Sequence, residues 1–440
     1  MLVKEIVDYI IGFLVGVDSV EDLPVRIGYT NDFREFDAYD VVIKASGFFD
    51  DGFYGTKQSL PTLPLKIWDE LPIIYGDTLT EVVGNTLVIG ADLVASTYFL
   101  ISRYEEMVRT DVNDHHNRFP GKASLPYRAG FIDKPIVEQW GLQLRDAMRE
   151  HGFEIAEPAK KIKKVYLTHD VDQLAHFRTV RGLLGGVLRG IKRPKEGKSA
   201  LKSFFGRLTD DPWYTFPFLF KLNNELQHVL GKERCETVVF IRSTGMRYKE
   251  DKPYPNLLLP DYKYFIRYCK RKDVTIGLHT SYECGIYPQQ TGDEKNRLEK
   301  SVHREVVINR NHFMNNRGIS NLTELLNAGI TEDFSMGYAD IAGFRLGTCK
   351  PVRFINPQNK QLTPLVLHSL TVMDRTLSDK RYMYMNAHDA YQYCEQLIDT
   401  VERYGGEISL LWHNNLIEKS PNLYHRKLYA DLINYLKQKL

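Results

Sequence analysis

The sequence predicts an α/β protein in which a parallel sheet or barrel follows a smaller mixed α/β unit. From residue 165 onward, short apolar runs alternate with segments of helical periodicity, an order typical of parallel α/β folds. The chain has 440 residues, 43% of them hydrophobic and 26% charged, which is more than one ordinary core accommodates. We therefore expect an N-terminal domain over residues 1–160 and a second domain over residues 161–440.

The N-terminal domain is predicted from short elements of both kinds. Residues 1–20 alternate apolar and charged side chains, which indicates an amphipathic helix rather than a secretory signal. Strand-like runs follow at 41–43 and 86–89, and apolar positions recur at helical spacing over 93–108. This domain is expected to be a separate unit of mixed α/β structure.

Cysteine usage and hydropathy bear on the compartment. The five cysteines are scattered, odd in number and without a C-x-x-C pair, so neither a disulfide framework nor a thiolate metal site is expected. No run of about 18 apolar residues occurs, so no transmembrane helix is expected. We predict a cytoplasmic protein.

Charge is distributed unevenly along the chain. Residues 1–160 hold 15 Lys and Arg against 26 Asp and Glu, and the remainder holds 43 against 30. The excess of Lys and Arg after residue 160 favours an anionic ligand on the second domain. It does not require that this ligand be nucleic acid.

A basic insertion is predicted at about 178–207, where nine Lys or Arg residues accompany one acid, Glu196. Its composition is typical of a solvated, mobile segment. The alternative is a flap that attracts an anionic glycan or makes peripheral contact with an anionic membrane. Five residues could supply the apolar face of that flap: Leu183, Leu184, Val187, Leu188 and Ile191.

Reactive side chains follow several predicted strands. The run 165–167 leads to Asp170 and Asp172, 274–278 leads to His279, and 408–412 leads to His413. Parallel sheets collect their chemistry at the carboxyl ends of strands. One aspartate can ligate a metal while the other accepts a proton, although such a pair also caps turns. His279 is either a zinc ligand or a hydrogen-bonded structural residue.

Four segments in this order resemble the motifs of carbohydrate esterase family 4, the polysaccharide deacetylases of the NodB-homology type. T-H-D-V-D at 168–172 resembles T-F-D-D, H-T-S-Y at 279–282 resembles H-[ST]-x-x-H, R-N-H-F at 310–313 resembles R-x-P-[YF], and L-L-W-H at 410–413 resembles L-x-L-H. The second motif departs from the family, because Glu283 stands where its second histidine belongs.

The resemblance implies a deformed (β/α) barrel and a metal-dependent hydrolase that removes N- or O-acetyl groups from a carbohydrate. It implies a divalent metal, zinc before cobalt or nickel, held by Asp172, His279 and a third ligand. His312 and Glu283 are the two candidates for that ligand, and His312 is preferred because Asp-His-His resembles the family's zinc site.

The same resemblance implies roles for the remaining residues. Asp170 is the predicted base, Arg310 orients it, and His413 is the general acid, with Asp374 as its partner or as a simple turn residue. Arg345, in a segment that also resembles the relatives, is predicted to bind substrate or to form a loop salt bridge. Tyr282 and Trp412 are the other predicted substrate-binding residues.

Two other functions stay open at this point. The missing second histidine motivates a glycan-binding pseudoenzyme, and the same fold can carry a metal-dependent hydrolase of a small amide. The first 160 residues resemble an uncharacterised N-terminal domain found on deacetylase-like proteins of some Bacteroidetes, which implies no function.

Overall fold

The computed structural model describes residues 2–418 and 423–439, and the chain divides into two compact units. The first unit comprises Met1–Lys161, Gly343–Ser369 and Thr400–Gly406, and the second comprises Ile162–Ala342, Leu370–Asp399 and Glu407–Leu440. The predicted boundary between residues 160 and 161 stays a prediction. No pattern in the sequence assigns the two later segments to the first unit.

The strands and helices are numbered in chain order. The strands are β1 (Ile27–Thr30), β2 (Val41–Lys44), β3 (Lys66–Trp68), β4 (Leu71–Ile73), β5 (Gly76–Val83), β6 (Thr86–Ala91), β7 (Lys164–Val171), β8 (Cys235–Ile241), β9 (Thr275–Thr280), β10 (Ile308–Asn311), β11 (Glu332–Met336), β12 (Val352–Asn356), β13 (Gln361–Ser369), β14 (Val372–Met373) and β15 (Glu407–Leu411). The α-helices are α1 (Lys4–Val15), α2 (Leu93–Ile101), α3 (Tyr104–Val108), α4 (Leu125–Arg128), α5 (Ile136–Glu150), α6 (Val180–Gly190), α7 (Pro194–Phe205), α8 (Phe216–Leu230), α9 (Pro260–Arg271), α10 (Tyr282–Ile286), α11 (Thr291–Val302), α12 (Ile319–Asn327), α13 (Asp374–Ser378), α14 (Ala387–Tyr404) and α15 (His425–Lys439).

The first unit contains a mixed sheet of order β1-β2-β6-β5. β2 pairs in parallel with β1 and β6, whereas β5 is antiparallel to β6. The predicted strands at 41–43 and 86–89 are confirmed as β2 and β6. The amphipathic first helix is also confirmed as α1, and it ends where Gly16 adopts the left-handed conformation, with φ of 88°.

The predicted helix over 93–108 is two helices in the structure. Arg103, between α2 and α3, has φ of 60°, a left-handed conformation that ends an α-helix. The helical spacing of apolar residues continues across this break, so the sequence pattern does not reveal it.

The second unit is built on parallel strands in the order β11-β10-β9-β8-β7-β15-β14. Its neighbouring pairs are parallel, which confirms the predicted parallel α/β class. The central strand β8 is buried along almost its whole length, as expected for a parallel sheet covered on both faces. The strand order is linear, and closure into a barrel stays a prediction.

One expectation for the second unit was wrong. The sequence predicts a helix over 298–308, ahead of the R-N-H-F motif, but α11 ends at Val302, His303 takes a left-handed φ of 50°, and Ile308 begins β10. The insertion 178–207 forms the helices α6 and α7, and its predicted mobility stays a prediction. Among the described residues, every helix is too short or too polar to cross a lipid bilayer.

Candidate metal centre

The predicted reactive side chains lie at the carboxyl edge of the parallel sheet in the second unit. Asp170 lies in β7 with Asp172 just after it, His279 lies in β9, Arg310 lies in β10 with His312 just after it, and His413 follows β15. The strands run in register, with Arg310 opposite His279 and Leu411 opposite Thr168. Loops that leave this edge therefore converge on one face.

Three of these side chains form a compact cluster of potential metal ligands. Ligand atoms of Asp172, His279 and His312 all lie within 4.8 Å of one another. Oδ1 of Asp172 is 3.2 Å from Nε2 of His279 and 3.2 Å from Nε2 of His312. One carboxylate and two imidazoles form a donor set that suits zinc. His312, and not Glu283, is the third residue of this cluster.

Both imidazoles are oriented by hydrogen bonds at Nδ1. His279 donates to the carbonyl oxygen of Arg310 over 2.8 Å, and His312 donates to Oδ1 of Asp251 over 2.9 Å. Because Nδ1 is occupied in this way, Nε2 is the nitrogen that would bind a metal after losing its proton, and in both rings Nε2 faces Asp172. Metal-ligating histidines typically have this arrangement.

Asp251 and Arg242 are residues of the site that the sequence interpretation missed. Asp251 is fully buried and accepts hydrogen bonds from the backbone N–H groups of Tyr282 and Glu283. The buried guanidinium of Arg242 donates to Oδ1 of Asp251 at 3.3 Å and also to the backbone carbonyl of Asp172. These contacts fix the carboxylate that holds His312 and the backbone that carries Asp172.

Neighbouring imidazoles favour the ionised form of the Asp172 carboxyl. Burial would raise its pKa, but the neighbouring imidazoles of His312 and His279 hold the pKa of Asp172 well below its usual range. The Asp172 side chain is partly exposed, while both histidines are buried. The partly exposed carboxylate is therefore compensated by the imidazoles beside it.

Asp170 lies beside this cluster and is held by an arginine. Its Oδ2 is 3.7 Å from Nε2 of His279, and its Oδ1 is 3.2 Å from Nη1 of Arg310. The same Nη1 donates to the hydroxyl of Thr168 over 2.6 Å. Arg310 is fully buried. Arg310 thus contacts the carboxylate of Asp170 and the hydroxyl of Thr168 through one nitrogen.

His413 approaches the cluster from the opposite side and pairs with Asp374. Its Nδ1 donates to Oδ1 of Asp374 over 2.7 Å, and its backbone N–H donates to Oδ2 over 2.6 Å. Nε2 of His413 is 3.7 Å from Oδ2 of Asp172. Burial opposes the charged imidazole, but the Asp374 carboxylate outweighs it and raises the pKa of His413. The predicted Asp374–His413 pair is therefore brought together.

Three other predicted site residues are not members of the ligand cluster. Glu283, the alternative third ligand, turns away to the 246–247 backbone and to Nε of Arg247 at 3.1 Å. Trp412 is fully buried and donates to the carbonyl of His425, so the structure does not bring it to the surface of the site. The Tyr282 ring packs against Phe313, the neighbour of His312.

Arg345 belongs to the first unit rather than to the unit that carries the cluster. It is buried and contacts the carboxylate of Glu106, with Nη2 at 2.7 Å from Oε2. Arg103 contacts the same carboxylate. Burial opposes ionisation of Glu106, but the two guanidinium groups lower its pKa to about 2. These contacts match the loop salt bridge that was the alternative to substrate binding.

Parts of this chain resemble known proteins. The family described as "Family of unknown function (DUF7033)" matches residues 1–152. No curated protein matches the chain. A solved structure from Mycobacterium smegmatis described as a "putative polysaccharide deacetylase" is 13% identical, covers 64% of this chain and 86% of its own, and has a TM-score of 0.39. The chemistry of the site therefore rests on its own residues.

Proposed function

We propose that the second unit is a metal-dependent hydrolase that removes acetyl groups from a carbohydrate. The observation that carries the proposal is the convergence of three kinds of group on one edge: the Asp172–His279–His312 donor set, the Arg310-held carboxylate of Asp170, and the Asp374-held imidazole of His413. A divalent ion, when bound there, would polarise a carbonyl oxygen and lower the pKa of a water molecule.

The chain's own residues account for the proton transfers of such a hydrolysis. Asp170 accepts a proton from water as the water oxygen bonds to the acetyl carbon. His413 donates its Nε2 proton to the leaving nitrogen or oxygen as the bond to the acetyl carbon breaks. Asp374 stabilises the charged imidazole, as its carboxylate does in the structure. The products are acetate and a free amine or hydroxyl.

A carbohydrate is proposed as the substrate because of the sequence motifs. This choice rests on the order of the four motifs, which resembles that of polysaccharide deacetylases, and the same resemblance underlies the proposed barrel closure and the preference for zinc. All five cysteines are buried, free thiols, which supports a reducing, cytoplasmic environment. The glycan-binding alternative was motivated by a missing histidine, and His312 supplies a nitrogen donor in its place.

The test is acetate release from a panel of acetylated oligosaccharides and small amides by the zinc-loaded protein. Asp170→Asn should lower the rate by about 10²–10⁴-fold, because the base is removed, while zinc content stays unchanged. Asp389→Asn, at an exposed position on α14, is the matched control and should keep full activity.

Two results would count against the proposal. Equal activity of Asp170→Asn and wild type would show that Asp170 is not the general base. Hydrolysis restricted to small amides would support the alternative amide hydrolase and would overturn the carbohydrate substrate while leaving the site intact.

A further inference from the structure

The α6–α7 hairpin, residues 180–205, is held together through a face of small residues. A Cβ added to Gly190 would lie 2.7 Å from the Cα of Gly197, so the two helices approach closely only because both positions are glycine. Gly186 similarly packs against Ala200 and the ring of Phe177. The face of α6 opposite these glycines consequently points away from α7.

That outward face of α6 carries a continuous row of uncovered apolar side chains. The row occupies spacings of four, three, one and three residues, which place it on one side of a helix. Its members are Val180, Leu184, Val187, Leu188 and Ile191. Leu188 is 67% exposed and Ile191 is 79% exposed. A contiguous apolar row of this kind marks an interaction surface.

Basic side chains accompany this row in the insertion 178–207. Four of the insertion's bases are paired: Arg178 with Asp261, Arg189 and Arg193 with Glu196, and Lys202 with Asp210. Four others are exposed and contact no carboxylate within residues 2–418 and 423–439: Arg181, Lys192, Lys195 and Lys198. The hairpin thus combines uncovered apolar side chains with uncompensated positive charge.

The hairpin is anchored to the folded unit at its base. The carboxylate of Asp211 accepts the backbone N–H groups of His176 and Phe177 and the hydroxyl of Ser203, at 2.6–2.9 Å. Asp211 is buried, so these bonds are shielded from water. Substitutions on the outward face of α6 therefore change the surface without touching the anchor.

We propose that the α6–α7 hairpin is a docking surface for a lipid bilayer that contains anionic headgroups. An interfacial helix buries its apolar row at the boundary of headgroups and acyl chains, while its bases meet the anionic headgroups. A soluble anionic glycan would pair with the bases but leave the apolar row in water. A second copy of the chain would cover the apolar row but bring like charges together. The bilayer satisfies both features of the surface.

The test is cosedimentation of the full-length chain with vesicles. Vesicles of phosphatidylcholine with about 30% phosphatidylglycerol should bind the protein, and vesicles of pure phosphatidylcholine should not. Leu188→Ser combined with Ile191→Ser should weaken binding at least about tenfold, because two apolar anchors are lost. Lys192→Glu combined with Lys195→Glu should weaken it similarly, and added salt should mimic that effect.

Matched control variants change equally exposed residues elsewhere. Leu258→Ser alters a leucine that is 74% exposed outside the hairpin, and Lys300→Glu reverses an exposed base on α11. Both should bind anionic vesicles as wild type does, and all variants should keep the wild-type melting temperature.

Three outcomes would overturn the proposal. The first is no binding to anionic vesicles, or equal binding to neutral ones. The second is binding to a soluble acidic polysaccharide and to vesicles that depends on the lysines but not on Leu188 and Ile191. The third is self-association in sedimentation velocity that the Leu188→Ser and Ile191→Ser pair abolishes, without lipid binding.

Discussion

Each imidazole of the candidate metal centre is held at Nδ1, but the two acceptors differ in charge. His279 donates to a backbone carbonyl, whereas His312 donates to the buried carboxylate of Asp251. A carboxylate acceptor fixes the ring and makes its other nitrogen a better ligand. Asp251 is therefore a positioning residue for His312.

Replacing Asp251 by Asn should weaken zinc affinity by about 10–100-fold, because the amide keeps the size of the side chain but loses its charge. The measurement is a competition titration with a chelating indicator. The melting temperature of the zinc-free protein serves as the control for folding. Unchanged affinity of Asp251→Asn would mean that His312 does not depend on this carboxylate.

Asp172 and His279 were predictable because each follows a predicted strand. The third ligand was left between His312 and Glu283, since the sequence predicts that both lie within reach of the same face and says nothing about side-chain direction. Asp251 could not be predicted, because it ends a single-turn 3-10 helix, Lys249–Asp251, that lies 61 residues before its partner His312. Arg242 follows β8 directly, so the strand-end rule that found the other residues could also have found it.

At the scale of elements, the positions of strands were more predictable than the ends of helices. The apolar runs that precede Asp170, His279 and His413 are indeed strands of a parallel sheet. Helix ends were missed at Arg103 and His303, which adopt left-handed φ values without being glycine. Such residues leave the apolar spacing unbroken, so no sequence pattern indicates them.

The buried carboxyl of Glu294, at the junction between β9 and α11, should make the stability of the protein depend on pH. Glu294 on α11 is buried and accepts both the backbone N–H and the hydroxyl of Ser281. Burial raises the pKa of Glu294 from 4.5 to about 7, and the Ser281 bonds offset this only in part. Between these values the unfolded chain releases a proton that the folded chain keeps, so stability is lost as the pH rises from 4.5 to 7.

Glu294→Gln should remove this loss, because the amide mimics the protonated carboxyl. Relative to the variant, the free energy of unfolding of the wild type should fall by about 3 kcal/mol across that window. Urea denaturation of the metal-free proteins at a series of pH values measures the difference. Parallel pH profiles for the two proteins would show that Glu294 ionises normally in the folded state.

At the scale of the whole molecule, the sequence predicted two units but not their membership. Segments 343–369 and 400–406 belong to the first unit although they follow most of the second in the chain. Apolar periodicity predicts strands and helices, but it does not specify which core they join. Arg345 was predicted to bind substrate or to form a loop salt bridge, and the structure gives it Glu106 of the first unit as a partner.

We propose that Asp172, His279 and His312 together hold one metal ion. The direct measurement is zinc stoichiometry and affinity of the full-length chain, determined by elemental analysis and competition titration. Wild type should bind about one zinc ion per chain.

Changes outside the ligand set typically lower zinc affinity by roughly 10–100-fold. His312→Ala should lower it by more than that, because it removes a ligand. Glu283→Gln should bind zinc as wild type does, since Glu283 faces away from the cluster. Wild-type affinity in His312→Ala together with lost affinity in Glu283→Gln would contradict the account, as would a wild-type chain that binds no zinc.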